Sequence, residues 1–255
     1  ALVESFNQEL GVRRLIARGI SPQLLQAIDL EEKDLAPPRA RGAQLLFIVP
    51  WTALLMAAYG AFAVAIDVTA GERERGSLEP LLCNPLPISA LLSAKWAAAT
   101  LSAWVIVAIT LAGFWVSMPF IKNPTLSALM QLHTRELAIF AVILMPFAGL
   151  MAALNMLAAT FGRSYKEAQT YVSVLTMAVQ FSALIPIFLA SRDVAWLRLI
   201  PSIGQITVMA KTVRGEPLDL YEWLVPGLVS ALGTVLCLIL LARLLRKESI
   251  IFARS

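Results

Sequence analysis

The sequence predicts an all-α membrane protein, a polytopic helical bundle with five transmembrane helices visible in this chain. Hydrophobic residues make up 58% of the 255 positions and charged residues only 15%, whereas a soluble domain carries about 25% charged residues. Several segments are apolar over about 20 residues, which is the length that crosses a bilayer. The chain is therefore too apolar for an ordinary soluble domain.

Residues 1–42 differ in composition from the rest and predict the end of an extracytoplasmic domain. They are polar and show helical periodicity, and Gly19, Ser21 and Pro22 indicate the end of one helix and the start of the next. The segment APPRARG, residues 36–42, predicts a rigid spacer before the membrane. The opening residues lack the basic and apolar regions of a signal peptide, and we expect the full polypeptide to begin upstream.

Residues 43–255 predict the transmembrane domain. Its five spans are expected at residues 43–66, 96–118, 137–161, 169–190 and 221–242. Pro50 and Gly60 in the first span are acceptable where neighbouring helices cover the backbone. The apolar stretch 88–118 is too long for one perpendicular crossing. Either its first turns lie along the interface, or Lys95 extends toward the headgroups.

Residues 191–220 are half apolar and are interrupted by Pro201 and Gly204, which predicts an external re-entrant or interfacial segment. A modest excess of Lys and Arg in the alternate loops places the charged loop, residues 67–87, and the C-terminus in the cytoplasm. The chain then starts outside. An odd number of spans with an external start implies one more span upstream, six in all.

The chain offers little chemistry for a metal site or for catalysis. Cys83 and Cys237 are best interpreted as unpaired thiols, and His133 is the only histidine, so no histidine-based metal site can be assembled. The scattered basic residues give little support to nucleic-acid binding. No GxxxxGK(S/T) motif occurs, so the chain is not expected to hydrolyse ATP or to hold a cofactor itself.

The charged loop has the pattern of a short surface helix. Charges of alternating sign occupy Glu72, Arg73, Glu74 and Arg75. Gly76 breaks the run, and Ser77 is a good N-cap for a helix that follows. Leu78 and Leu82 would lie on its apolar stripe, and Glu79 suits the positive end of its dipole. Composition equally allows a solvated loop with local ion pairs.

The stretch AIDVTAGERERGSLEPLLCNPLPISALLSAKW, residues 65–96, resembles the signature of permease subunits of type-2 ATP-binding-cassette exporters, and most closely the Nat-type sodium-efflux branch. The family usually has Gly before the lysine, where this chain has Ala94. Four further segments are similar to the same family in the same order: RGISPQLLQAIDLEEKDLA, GRSYKEAQTYVS, LIPSIGQ and LLRKESIIFAR.

This resemblance implies six spans, a large external domain after the first, and a cytoplasmic coupling helix that docks in a groove of a separate cassette ATPase. Two permease chains, identical or different, and two ATPase chains would form the exporter in a bacterial cytoplasmic membrane, in contact with its lipids. ATP and magnesium would bind to the ATPase. The cargo stays open among sodium, other ions, drugs, lipids and peptides.

The resemblance also implies site residues. Those that contact the ATPase would be Glu72, Arg73, Glu74, Arg75, Gly76, Ser77, Leu78, Glu79 and Leu82. A second cytoplasmic loop would contribute Arg163, Lys166 and Glu167, for which structural ion pairing is an equally good account. The polar candidates at membrane depth are Asp67, Lys95, Asn155 and Gln180. Interfacial positions are favoured for the first two, and interhelical hydrogen bonds for the last two.

Two other functions remain open from the residues alone. A membrane-embedded enzyme has little support, because the predicted spans contain no facing carboxylates or nucleophile–base pair. A non-transporting anchor for a cytoplasmic partner would use the same charged loop. An ATPase that co-purifies with the chain and turns over in a membrane-dependent way separates the exporter from both.

Overall fold

The computed structural model describes residues 17, 47–77, 87–120, 133–188 and 195–245. Within these residues every regular element is a helix, which confirms the predicted all-α class. The chain divides into two compact units, residues 1–36 and 37–255. All elements below belong to the second unit, and the predicted external segment 1–42 lies outside the described residues apart from Ala17.

Within the described part of the second unit, seven helices occur in chain order. They are α1 (Ile48–Glu74), α2 (Ile88–Ser117), α3 (Thr134–Thr160), α4 (Tyr165–Ser182), α5 (Ile185–Phe188), α6 (Ile203–Arg214) and α7 (Leu220–Leu245). A 3-10 turn, Met118–Phe120, follows α2, and another, Ala195–Leu199, precedes α6.

Four of the described helices, α1, α2, α3 and α7, are long and apolar enough to cross a membrane. They overlap the first, second, third and fifth predicted spans, with different bounds. The fourth predicted span, 169–190, falls on α4 and α5, which are separate shorter helices, and its last two residues lie outside the described ranges. The first turns of α4 carry Lys166 and Glu167. A fifth crossing therefore stays a prediction.

Helix α3 is the centre of the bundle and packs against α1, α2, α4, α6 and α7. Its side chains Phe140, Leu144, Phe147 and Met151 are fully buried. The outward sides of α2 and α7 are apolar instead, as at Leu232, which is 70% exposed. This arrangement, with large apolar residues facing outward, is typical of helices surrounded by lipid.

Small residues and indole donors hold α1 and α2 together and against α3. A Cβ atom at Gly60 of α1 would lie 2.6 Å from Ala103 Cα of α2, so the two backbones touch. The indole Nε1 of Trp96 donates to Gly149 O of α3 at 2.8 Å. Gly60, predicted only to be tolerated, thus has a packing role.

The boundaries of two predicted segments differ from those observed. Residues 67–74, predicted to open a loop, continue α1 as helix. Residues 88–95 are the first turns of α2, which is one continuous helix from Ile88. The predicted re-entrant segment, 191–220, contains the buried helix α6. Gly204 lies in its first turn, where only glycine fits, because a Cβ atom there would come within 2.7 Å of Arg198 O.

Candidate functional site

The ends of four helices meet at one charged region, which we call the junction. It consists of residues 67–77 at the end of α1, Lys95 of α2, and residues 160–167, where α3 ends and α4 begins. Most of the predicted site residues that the structure describes lie there. Leu78, Glu79 and Leu82, predicted for the coupling helix, lie outside the described residues.

Helix α1 widens just before the charged motif. Asp67–Gly71 form a π-helical turn, a feature that leaves backbone carbonyls without their usual partners and is frequent at functional sites. Thr69 Oγ1 donates to Ala65 O at 2.6 Å, and Lys95 Nζ donates to Val68 O at 2.8 Å. Side chains therefore satisfy one carbonyl within the widened turn and one just before it.

Helix α1 ends at Gly76 in the arrangement that often closes helices. Gly76 has φ +71°, a value that glycine adopts without strain. Its N–H donates to Arg73 O at 3.1 Å, and the N–H of Ser77 donates to Glu72 O at 3.0 Å. These two bonds are a Schellman motif. The hydroxyl of Ser77 donates to Glu72 O at 3.1 Å, and the residues of the helix that it was predicted to cap lie outside the described ranges.

The first two charged residues of the motif, Glu72 and Arg73, bind α2 and the end of α3, respectively. The carboxylate of Glu72 accepts a hydrogen bond from Lys95 Nζ in an ion pair that is largely shielded from solvent. The guanidinium of Arg73 donates to Thr160 O at 2.9 Å and to Gly162 O at 2.6 Å. These carbonyls lie at the C-terminus of α3, where the helix dipole favours a cation.

The next two charged residues, Glu74 and Arg75, bind the start of α4 and another residue of α1, respectively. Glu74 Oε2 accepts from the backbone N–H of Tyr165 at 2.6 Å, at the N-terminus of α4, where the dipole favours an anion. Arg75 pairs with Asp67 of its own helix at 2.8 Å, and these side chains are 58% and 52% exposed. Asp67 and Lys95, predicted to lie at span ends, are both part of the junction.

Hydrogen bonds also fix the turn between α3 and α4. Ser164 is the N-cap of α4, and its hydroxyl accepts from the N–H of Glu167 at 3.3 Å. Glu167 Oε2 accepts from the N–H of Arg163 at 2.7 Å, and Oε1 accepts from Tyr171 Oη at 3.0 Å. These two donors lower the pKa of the Glu167 carboxyl, and the Arg163 N–H has the larger effect. Lys166 is exposed.

Asn155 and Gln180, the two candidates deeper in the bundle, lie away from the junction charges. Asn155 is fully buried, and its Nδ2 donates to Ala58 O at 3.2 Å, which is an interhelical hydrogen bond between α3 and α1. Its Oδ1 accepts no hydrogen bond from the described residues. Gln180 is half-buried on α4.

A second polar cluster, which the sequence reasoning missed, joins α6 to α7. Glu222 Oε1 accepts from Lys211 Nζ at 2.7 Å and from Arg198 at 2.8 Å. Its side chain is only 8% exposed. The available signal was a carboxylate in the first turn of an apolar helix, with two cations in the preceding segment.

A buried amide strengthens the same contact. Gln205 Nε2 donates to Ser230 Oγ at 2.8 Å and to Pro226 O at 3.2 Å, and its Oε1 accepts from the N–H of Ser202 at 2.8 Å. Ser202 is buried with φ +80°, an unusual value for a residue other than glycine. Among the described residues no group of three or more His, Cys, Asp or Glu could hold a metal ion.

Comparison with known proteins identifies the group to which the sequence is similar. A family model described as "ABC-2 family transporter protein" matches residues 3–242. The curated "ABC transporter permease protein NatB" of Bacillus subtilis (strain 168) is 26% identical over 183 residues, which cover 70% of this chain and 47% of that protein. The chain thus spans about half the length of the curated relative it matches. No solved structure matches it.

Proposed function

The chain belongs to the ABC-2 family of transporter proteins, and from this premise we propose that it is a permease subunit through which a separate cassette ATPase drives export. Residues 78–86, with the junction behind them, would receive the ATPase. Sodium is the cargo to test first, because the charged motif resembles that of Nat-type permeases. A second permease chain would complete the transporter.

The observation that carries this proposal is the junction itself. A coupling element must pass a displacement on to the spans instead of absorbing it, and rigid, contiguous contacts do so. Ser77 leads into residues 78–86, and the preceding turn of α1 is bonded to α2, to the end of α3 and to the start of α4. A force on that segment would therefore reach four helices.

The test uses the full-length permease, co-expressed with any cassette ATPase that a neighbouring gene encodes and reconstituted in liposomes. We expect the ATPase to co-purify and ATP hydrolysis to be vanadate-sensitive and stimulated by the permease. We also expect ATP-dependent movement of 22Na+ across the liposome membrane. A matched preparation with an ATPase lacking its P-loop lysine should move none.

The outcomes separate the alternatives. Co-purification without stimulated hydrolysis or transport would favour a membrane anchor. Absence of any ATPase partner would contradict the permease function. Stimulated hydrolysis with no sodium movement would remove sodium as the cargo and leave the permease function in place, to be followed by competition with lipids, peptides and drugs.

A further inference from the structure

We propose that Glu72, Arg73 and Glu74 are positioning residues that clamp the end of α1 to α2, α3 and α4, and that they are not the surface which the ATPase grips. The inference rests on the proposed permease function for its consequence in transport. Its structural part, a junction that moves as one body, stands independently.

The directions of the three side chains carry the inference. Glu72 is bound to Lys95 of α2, Arg73 to two carbonyls where α3 ends, and Glu74 to the backbone N–H where α4 begins. Each of these donors or acceptors belongs to the same chain. A carboxylate or guanidinium already bound in this way has to give up that bond before it can bind a partner protein.

The order of charge in the motif matches what the neighbouring helices need. A helix C-terminus presents carbonyls and negative partial charge, and a helix N-terminus presents N–H groups and positive partial charge. The cation Arg73 meets the end of α3, and the next residue, the anion Glu74, meets the start of α4. Exchanging the two charges would place each against the wrong helix terminus.

Arg75 supplies an internal comparison. It belongs to the same charged run, but its partner Asp67 is on its own helix, and both side chains are more than half exposed. If the run were a gripping surface, Arg75 could take part in it without releasing another helix. If the run is a clamp, the residues that matter are the three that reach other helices.

The first experiment measures the clamp without relying on ATPase activity. Spin labels are placed at Ser77 and Lys166, which are both exposed, in full-length protein with Cys83 and Cys237 replaced by alanine. In nanodiscs we expect a single narrow distance distribution. We expect Arg73→Gln to broaden it and Arg214→Gln, a remote surface change, to leave it narrow. An equally broad distribution in the unsubstituted protein would overturn the clamp.

The second experiment places the clamp in the transport cycle. With the ATPase bound, the Ser77–Lys166 distance should stay the same between nucleotide-free and vanadate-trapped states. We expect Arg73→Gln and Glu74→Gln to retain ATPase co-purification while transport per ATP falls about tenfold or more, because each change removes a charge that strengthens one or two hydrogen bonds to a helix end. Arg73→Lys should recover part of that loss, because an ammonium can still donate to the α3 carbonyls.

Two results would contradict the inference. One is a change of the Ser77–Lys166 distance during the ATP cycle. The other is loss of ATPase binding in Arg75→Gln with normal transport in Arg73→Gln, which would make the run a contact surface. Failure of the unsubstituted permease to bind any ATPase would refute the proposed function instead, while the distance measurements in nanodiscs would still decide the clamp.

Discussion

Gly162, in the turn between α3 and α4, lies so close to α4 that no side chain fits. A Cβ atom there would come within 2.4 Å of Ala168 N and 2.6 Å of Ala168 Cα, both backbone atoms. We expect Gly162→Ala to force the turn away from α4 and to destabilise the protein by about 1–3 kcal/mol, as overpacking does. Thermal unfolding of the purified protein in detergent measures the loss.

Gly113 of α2 is the matched control, because nothing lies within 4 Å of a Cβ placed there. Gly113→Ala should leave the unfolding temperature unchanged or slightly raised, since alanine is favoured over glycine in a helix by up to about 1 kcal/mol. Equal effects of the two substitutions would contradict the close approach at Gly162.

The Glu167 carboxylate should make the junction sensitive to acid. Its pKa lies below the usual value of 4.5 because the Arg163 N–H and the Tyr171 hydroxyl donate to it. A group with a lowered folded-state pKa stabilises the fold fully above its unfolded pKa, and this contribution is lost as pH falls through the folded pKa. The stability advantage over Glu167→Gln should therefore be constant above pH 4.5 and shrink below it.

The measurement compares thermal unfolding of the two proteins across this range of pH. A difference that grows toward acid would show that Glu167 is stabilised in its protonated form.

At this scale the sequence identified the charged residues but not their partners. Successive residues of a helix point about 100° apart, so four adjacent charges meet four different neighbours. Two partners of Arg73 are backbone carbonyls, Thr160 O and Gly162 O, and any residue type provides a carbonyl. Nothing in the residue types therefore distinguishes a charge that faces a partner protein from one that caps a helix.

At the scale of elements, hydropathy predicted the four long helices well because apolar length alone decides them. It failed at the end of α1, where residues 67–74 are too charged to suggest a continuing helix. Their helix is held by other elements: Lys95 binds Val68 O and Glu72, and the ends of α3 and α4 bind Arg73 and Glu74. Contacts distant in the sequence overrode the local pattern.

Besides the Gln205 amide, one carboxylate contributes to the contact between α6 and α7. Glu222 is 8% exposed and accepts from both Lys211 and Arg198, so Glu222→Gln would remove the charge that both cations face. Breaking a buried ion pair from one side costs about 3 kcal/mol or more. We expect a marked fall in unfolding temperature and easier proteolysis of α6.

The surface pair Arg214–Glu216 is the control for this substitution. Arg214 Nε lies 2.7 Å from Glu216 Oε1, and the two side chains are 42% and 44% exposed. Exposed ion pairs contribute about 0–1 kcal/mol to the free energy of unfolding. Glu216→Gln should therefore have little effect. A small effect of Glu222→Gln as well would show that α6 is held by its apolar face alone.

At the scale of the whole molecule, the length of α3 predicts that the junction and His133 lie on opposite sides of the membrane, and the excess of Lys and Arg in the alternate loops predicts that the junction side is cytoplasmic. With 27 residues, α3 is about 40 Å long, which exceeds the hydrocarbon core of about 30 Å. Cysteines at Ser77 and Lys166 should react with a membrane-impermeant maleimide from the cytoplasm, and a cysteine at His133 only from the opposite side. Labelling of all three from one side would contradict a crossing by α3.

The central place of α3 also bears on the order in which the bundle is built. During synthesis α1 and α2 leave the ribosome before α3, and the contact of Gly60 with Ala103 lets them pair as a hairpin. Until α3 is inserted, the side chains of this hairpin that face α3 are exposed to lipid, and the indole N–H of Trp96 lacks its acceptor, Gly149 O. Truncation before residue 134 should consequently yield an inserted hairpin that insertases retain and quality-control proteases degrade.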